Sequence, residues 1–291
     1  MGIYGQPNSW TCGPFALKHA LLAFGVFARE DDLARVAGST ERHGTDEPGL
    51  RRAARAHGVE LQAQRERQLR AADRELRAWL GRGMPVLLCL DQWEHWVTAV
   101  AMDGEHVILF DSKYDAPLRA EPWEPVLARL ACRRRYLRGI WTRTLYDLHP
   151  VVPRSSAGFR LALTATRARH LLREDAAALA LRWDEYARAL LPLSSVPGAG
   201  AQLGLGLNLE SFIEARRSAI LDLAAGGAGD ELRARAARAV DGMAFVAGMY
   251  QVAMRPKLEA EAVARLAGIA TELAVFEPTA SATPQPAAAA A

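Results

Sequence analysis

Apolar positions recur along the chain at two periods, and the change from one to the other divides it. Over residues 1–153, helical spacing alternates with short apolar runs and turn residues. A polar strap from Gln6 leads into the apolar stretch that ends at Gly25. Thr11 is the expected N-cap, Pro14 sits in a first turn that has no N–H bond to lose, and Gly25 is the stop. The pattern predicts a buried helix with Cys12 in its first turn. Residues 29–36 read as a short acidic-then-apolar helix closed by Gly38. After a polar loop over 39–49, residues 50–57 form a helix with Leu50, Ala53, Ala54 and His57 on one face, ended by Gly58. Residues 59–63 alternate as an exposed strand does. Residues 71–80 form an amphipathic helix with Leu76, Trp79 and Leu80 turned inward.

Residues 85–90, Pro-Val-Leu-Leu-Cys-Leu, are a continuous apolar run, the pattern of a strand buried on both faces, and Cys89 belongs to that core. Runs at 95–101 and 105–111 then predict a hairpin across Met102-Asp103-Gly104. A two-residue Asp103-Gly104 turn points His95 and Asp111 to opposite faces. A three-residue loop, with Gly104 in the left-handed position of a bulge, sets His95 opposite Asp111, and this register is the expected one. Residues 123–132 read as a helix, Arg133-Arg134-Arg135 as its solvated end, and residues 136–145 as a further strand closing the first unit near Pro153.

From residue 155 helical periodicity takes over. Helices are expected over about 163–191, 209–225, 230–254 and 257–276, with a Gly- and Pro-rich hinge at 192–208. They predict a bundle packed on itself or on the first unit, in which the Met243, Phe245, Val246, Met249 and Tyr250 stripe is core. Gly226-Gly227 reads as an interhelical turn, and residues 277–291 as a disordered Pro/Ala tail. The expected division is therefore 1–153, a helical bundle at 154–276, and the tail.

Composition narrows the class. The 291 residues are 50% hydrophobic with a net charge of +3, which suits a globular protein and announces no nucleic-acid face. Cys12, Cys89 and Cys132 cannot all pair and match no zinc spacing, so a reducing compartment is expected. No secretory signal is visible, and the longest apolar run, 242–254, is too short to span a bilayer. These readings predict a cytoplasmic protein with no membrane span, no metal and no cofactor.

Acyl transfer on cysteine needs a thiolate, a histidine to move protons, a group that fixes the imidazole tautomer, and donors for the oxyanion. Cys12 at a helix start, where the dipole favours thiolate, His95 at a strand start and Asp111 at a strand end fill the first three roles. Gln6, on the strap six residues before Cys12, offers a side-chain N–H to the oxyanion beside the backbone N–H of Cys12. Each residue is unremarkable alone; the four in this order are specific.

With these residues in hand, the chain resembles the papain-like cysteine peptidases, and specifically the C39-like branch related to bacteriocin-processing peptidases. Gln6 through Thr11-Cys12-Gly13-Pro14-Phe15-Ala16-Leu17 carries the resemblance. So do Gly44-Thr45-Asp46 before the Leu50 to Gly58 segment, and His95-Trp96-Val97-Thr98-Ala99-Val100 leading to Phe110-Asp111-Ser112. The resemblance covers about residues 1–150. It implies an α+β fold, with N-terminal helices packed on an antiparallel sheet, followed here by an all-α region. It also implies Cys12 as nucleophile, His95 as general base and acid, Asp111 as orienting carboxylate and Gln6 as oxyanion-hole donor. The chain departs from the family in lacking the exporter parts of its fused members and in carrying Ser112 where proline is frequent. The expected activity is peptide-bond hydrolysis on a peptide or protein substrate, with the helical half recognising substrate or a protein partner. A non-catalytic peptide-binding or scaffold module, and a thiol acyltransferase on the same residues, stay open.

Overall fold

A computed structural model describes residues 2–136, 141–155, 159–171, 173, 176–195, 208–255 and 258–276. Most of the predicted hinge and all of the predicted tail lie outside the described residues. The first 153 residues place α1 (Cys12–Leu22), α2 (Glu30–Ala37), α3 (Glu47–Ala56), α4 (Leu69–Gly81) and α5 (Trp123–Leu130) around a sheet. Its strands are β1 (Val59–Leu61), β2 (Gln64–Glu66), β3 (Val86–Leu90), β4 (His95–Asp103), β5 (His106–Phe110), β6 (Leu118–Pro122), β7 (Ala131–Tyr136) and β8 (Trp141–Pro153). They pair antiparallel in the order β1-β8-β3-β4-β5-β6, with β2 and β7 also on the long β8.

Alternation along the strands sorts the side chains into two faces. One packs under α1, α2 and α3 through Leu17, Leu33, Leu50, Leu61, Leu87 and Val151. The other packs under α4 and α5 through Leu76, Leu88, Val97, Leu109, Val126 and Leu148. The β4–β5–β6 end also meets the second half of the chain: Val100, Ile108, Phe110 and Leu118 share a core with Trp183, Met243 and Tyr250. That half contains α6 (Ala165–Leu171), α7 (Ala177–Leu181), α8 (Trp183–Leu190), α9 (Leu209–Ala215), α10 (Arg217–Ala225), α11 (Asp230–Met249) and α12 (Glu259–Val275), with a small ribbon of β9 (Ser194–Ser195) and β10 (Ala253–Met254). The elements change character after Pro153, but the packing is continuous.

Several expectations need correction. Residues 59–61 are not an exposed strand: pairing with the end of β8 under α3 buries Val59 and Leu61. The arginine triplet lies in β7, not at a helix end, because α5 stops at Leu130 and Ala131 turns extended (ψ 111°). Among the described residues, the helix expected over 163–191 is divided into α6, α7 and α8. The break between α7 and α8 falls at Arg182, whose buried guanidinium donates to the Leu273 carbonyl and to Glu185. The helix expected over 209–225 breaks at Arg216, and α11 ends at Met249 because Gln251 takes φ 49° and turns the chain into β10. Gly226 and Gly227 do lie in the turn between α10 and α11.

One buried group makes stability depend on pH. His19 in α1 is fully buried, stacks on Phe110 at 4.7 Å, and has no hydrogen-bond partner among the described residues. Burial, helped by the neighbouring Lys18 charge, holds its pKa well below the usual histidine value. The folded protein keeps this ring neutral, so its contribution is complete above about pH 6.5 and falls as the unfolded chain takes up the proton below that pH, by about 1.4 kcal/mol per pH unit. Urea unfolding of His19→Leu at pH 7.5 and pH 5.5 checks this. The variant loses less stability on acidification than the parent, and equal losses would rule out the assignment to His19.

Candidate active site

The start of α1 is shaped by Asn8, whose Oδ1 accepts from Trp10 N at 3.2 Å, Thr11 N at 3.1 Å and Thr11 Oγ1 at 2.9 Å. Thr11 is the N-cap residue, as expected, but its hydroxyl turns back to Asn8 instead of capping the helix. Cys12 is buried at 5% exposure. Burial pushes its thiol up, but a hydrogen bond with the His95 ring, backbone N–H groups of Trp96 and Gly13, and the His95 charge outweigh it and bring the pKa below the ordinary value. The Trp96 donor, at the start of β4, has no counterpart in the sequence reading, since a backbone N–H leaves no residue signal.

His95 Nε2 bonds Asp111 Oδ1 at 2.6 Å, which leaves Nδ1 as the ring nitrogen for Cys12. Burial pulls the His95 pKa down, yet the hydrogen bonds and charges of Asp111 and Cys12 raise it to about 9. Asp111 is 1% exposed; burial raises its carboxyl, and the His95 bond and charge with the Lys113 N–H hold it below the usual range. Three of the four expected residues are thus connected in one line.

The contact between His95 and Asp111 arises by a different route from the one expected. Asp103 pairs with His106, so the loop is Gly104-Glu105, with Gly104 at φ 59°, the position where a tight II′ turn needs glycine. Asp103 stays in the strand and its Oδ2 accepts from Ala165 N at the start of α6. With a regular ladder this turn would set Asp111 on the side opposite His95. A bulge between Ala99 and Ala101 restores the parity: Thr98 faces Phe110, and one step further Asp111 lies across from Val97, diagonal to His95 on the same side.

Gln6 is tied to the loop that follows Asp111. Its N–H donates to Ser112 O at 2.7 Å, its Oε1 accepts from Ser112 Oγ at 2.6 Å, and its Nε2 donates to Asn8 O at 2.6 Å. Gly5 lets the strap press on the same loop, since a Cβ there would lie 2.6 Å from the Tyr114 carbonyl. One amide N–H of Gln6 is used on Asn8, and the second is left to donate.

Just before His95, Asp91, Gln92 and Trp93 all take positive φ, at 55°, 63° and 73°. Three non-glycine residues in that region store strain that the surroundings must hold. Asp91 forms a two-bond pair with Arg129; the Gln92 side chain bonds Ala131 O and Arg133 N along the edge of β7; and the Trp93 ring has Arg134 at 4.0 Å and Arg65 at 5.5 Å. No glycine marks this turn, so sequence reasoning had no signal for it. Cys89 and Cys132 lie in the sheet, and burial pushes both thiols up. Among the described residues no group of histidine, cysteine and carboxylate side chains is arranged to hold a metal.

No family model matches the chain, and no curated protein matches it. Several solved structures are similar to it, two of them over about half of its length. One is the peptidase domain of Streptococcus ComA, a bi-functional ABC transporter involved in a quorum sensing pathway. It is 14% identical over 52% of this chain and 98% of that one, with a TM-score of 0.38. The other is a double glycine motif protease from an AMS/PCAT transporter in complex with the leader peptide, 16% identical over 51% of this chain and 90% of that one, with a TM-score of 0.37. In this chain, no helix among the described residues is long and apolar enough to cross a membrane.

Proposed function

We propose that this chain is a cysteine peptidase that cuts a peptide bond with Cys12 as nucleophile. The observation that carries the reading is the line of contacts Cys12–His95–Asp111, in which the thiol is shifted down and the imidazole up. Opposite shifts on touching partners favour a resting thiolate and imidazolium. The thiolate attacks the carbonyl carbon, and the oxyanion takes N–H bonds from Cys12 and from the free amide hydrogen of Gln6. Imidazolium Nδ1 gives its proton to the departing amine, leaving an acyl-thioester; His95 then takes a proton from water, whose attack on the thioester carbonyl releases the acid and restores the thiolate–imidazolium pair. Asp111 holds the ring through Nε2 throughout and stays ionised. The three unpaired cysteines fit a reducing, cytoplasmic setting, and the helical half is assigned to substrate or partner recognition.

Comparing protein termini in cells that carry the wild type or Cys12→Ala tests the reading. New termini that depend on Cys12 are expected. Identical terminal profiles, or amine conjugates in place of new termini, would refute hydrolysis.

A further inference from the structure

The hydroxyl of Ser112 has no role in the chemistry above, yet Ser112 is buried, at 2% exposure, with its Oγ on the amide assigned to the oxyanion. It belongs to the two-residue step that follows β5. Asp111 holds the His95 ring at 2.6 Å, and the next residue meets Gln6 twice. The Ser112 carbonyl accepts the Gln6 backbone N–H at 2.7 Å, and its Oγ donates to Gln6 Oε1 at 2.6 Å. The sense of that second bond is fixed from the other end of the amide. Asn8 O can only accept, so the atom 2.6 Å from it is Gln6 Nε2, and the end that faces Ser112 is the oxygen. The hydroxyl proton therefore lies on Oε1. The strap backbone is pinned as well, by Ile3 N on the Ala180 carbonyl at 2.8 Å and by Gln6 N on Ser112 O. What the backbone leaves open is rotation of the Gln6 side chain, and Ser112 closes it.

We propose that Ser112 is a positioning residue for the oxyanion: its hydroxyl locks the Gln6 amide in the rotation that leaves the second Nε2 hydrogen free to donate to it. The inference rests on the peptidase reading above. A donor set in place beforehand stabilises an oxyanion because nothing has to reorient as the charge develops. The torsion that carries a glutamine amide is broad, so one hydrogen bond at its nitrogen end leaves the group free to swing. A second bond at the oxygen end fixes its plane. Without the hydroxyl, Oε1 loses its donor beside a buried methyl group, where an unsatisfied acceptor is costly, and the amide turns to find another. The spare N–H then leaves the oxyanion. Because Asp111 and Ser112 are adjacent, one step of chain sets both the imidazole and the amide against Cys12.

The test compares two reactions of Cys12 in the full-length protein, each corrected for the rate in Cys12→Ala. Iodoacetamide loses iodide to the thiolate without forming an oxyanion. p-Nitrophenyl acetate is attacked at its carbonyl carbon, passes through an oxyanion and expels p-nitrophenolate, leaving an acetyl-thioester. In Ser112→Ala, acylation is expected to fall about tenfold while alkylation changes by less than about twofold, a split that general loosening of the site would not give. Ser112→Thr, which keeps the hydroxyl, retains acylation, and Ser112→Ala costs nothing further in a Gln6→Ala background. Equal losses in the two reactions, acylation unchanged in Ser112→Ala, a loss as large in Ser112→Thr with alkylation intact, or a further loss of the same size in Gln6→Ala would overturn the proposal. The lock is also read without catalysis, from the nitrogen–proton NMR signals of the Gln6 side-chain amide, identified by their absence in Gln6→Ala. They are expected to be shifted and protected from solvent exchange in the parent, and to collapse to free-amide positions in Ser112→Ala; unchanged signals would refute the lock. A Cys12 that is never acylated, beside Gln6 signals that respond to Ser112, would refute the peptidase reading and leave the Ser112–Gln6 lock standing.

Discussion

Replacing His95 with alanine is expected to slow alkylation of Cys12 by iodoacetamide at pH 6 by roughly 10- to 100-fold. An ordinary thiol with a pKa of about 8.5 is only about 0.3% thiolate at that pH. Burial is the largest influence on Cys12 and acts upward, so the His95 bond and charge are what bring the thiol below its ordinary value. Without them, only the Trp96 and Gly13 N–H groups oppose burial, and the thiolate fraction follows pH as it does for an ordinary or raised thiol. The gain in thiolate is larger than the gain in rate, because a thiolate of lower pKa is a weaker nucleophile. In the parent protein the rate therefore begins to fall only at a lower pH than in His95→Ala, where it drops nearly tenfold per unit below the raised thiol's range. Cys89 and Cys132, both raised by burial, serve as internal references. Parallel pH profiles for Cys12 in the two proteins would show that the imidazole does not activate the thiol. A substrate, once known, should reveal a larger loss in turnover, on the order of 10³-fold or more, because His95 also delivers the proton to the leaving group.

The residues at issue were legible in the sequence because each marks the end of an element. Cys12 follows a polar strap and opens an apolar helix, His95 opens a strand, and Asp111 follows one. What the sequence could not convey was how the hairpin brings the last two together. Both registers considered from sequence put Gly104 at the second or third loop position, but it occupies the first. The parity is then restored by a bulge at Val100, within a run of Val, Thr and Ala that carries no bulge signal. The left-handed Asp91-Gln92-Trp93 turn is invisible for a similar reason: its conformation is imposed by contacts with Arg129, Ala131, Arg133 and Arg134, some 40 residues away, and not by local propensity. In the second half, periodicity located helical segments but overran their breaks. Arg182 and Arg216 are good helix formers, so propensity carries no signal for a break at either; at Arg182 the turn goes with the guanidinium's bond to the Leu273 carbonyl, 91 residues away.

Trp183→Ala is expected to destabilise the whole protein by about 3–5 kcal/mol, and not only its helical half. Trp183 is fully buried, and its Nε1 donates to Tyr250 Oη at 3.2 Å; that hydroxyl in turn donates to the Leu22 carbonyl at 2.8 Å, at the end of α1. The indole therefore supports a line that runs from α8 through the end of α11 to the helix that begins with Cys12. Around it, Leu22, Val100, Ile108 and Phe110 from the sheet half pack with Met243 and Val246 from the helical half. If the helices unfolded first, these strand residues would be left facing water, at about 1.5–3 kcal/mol for each large side chain. Unfolding of the two halves should therefore coincide. In a urea titration, loss of helical circular dichroism and exposure of Cys89, buried under α1 in the sheet, are expected to share one midpoint, lower in Trp183→Ala than in the parent. Helix loss at a lower urea concentration, with Cys89 still protected, would instead make the first 153 residues an independent folding unit. A thiol pH profile taken between the two midpoints would then show whether the Cys12–His95 pair survives without the helices that cover its sheet.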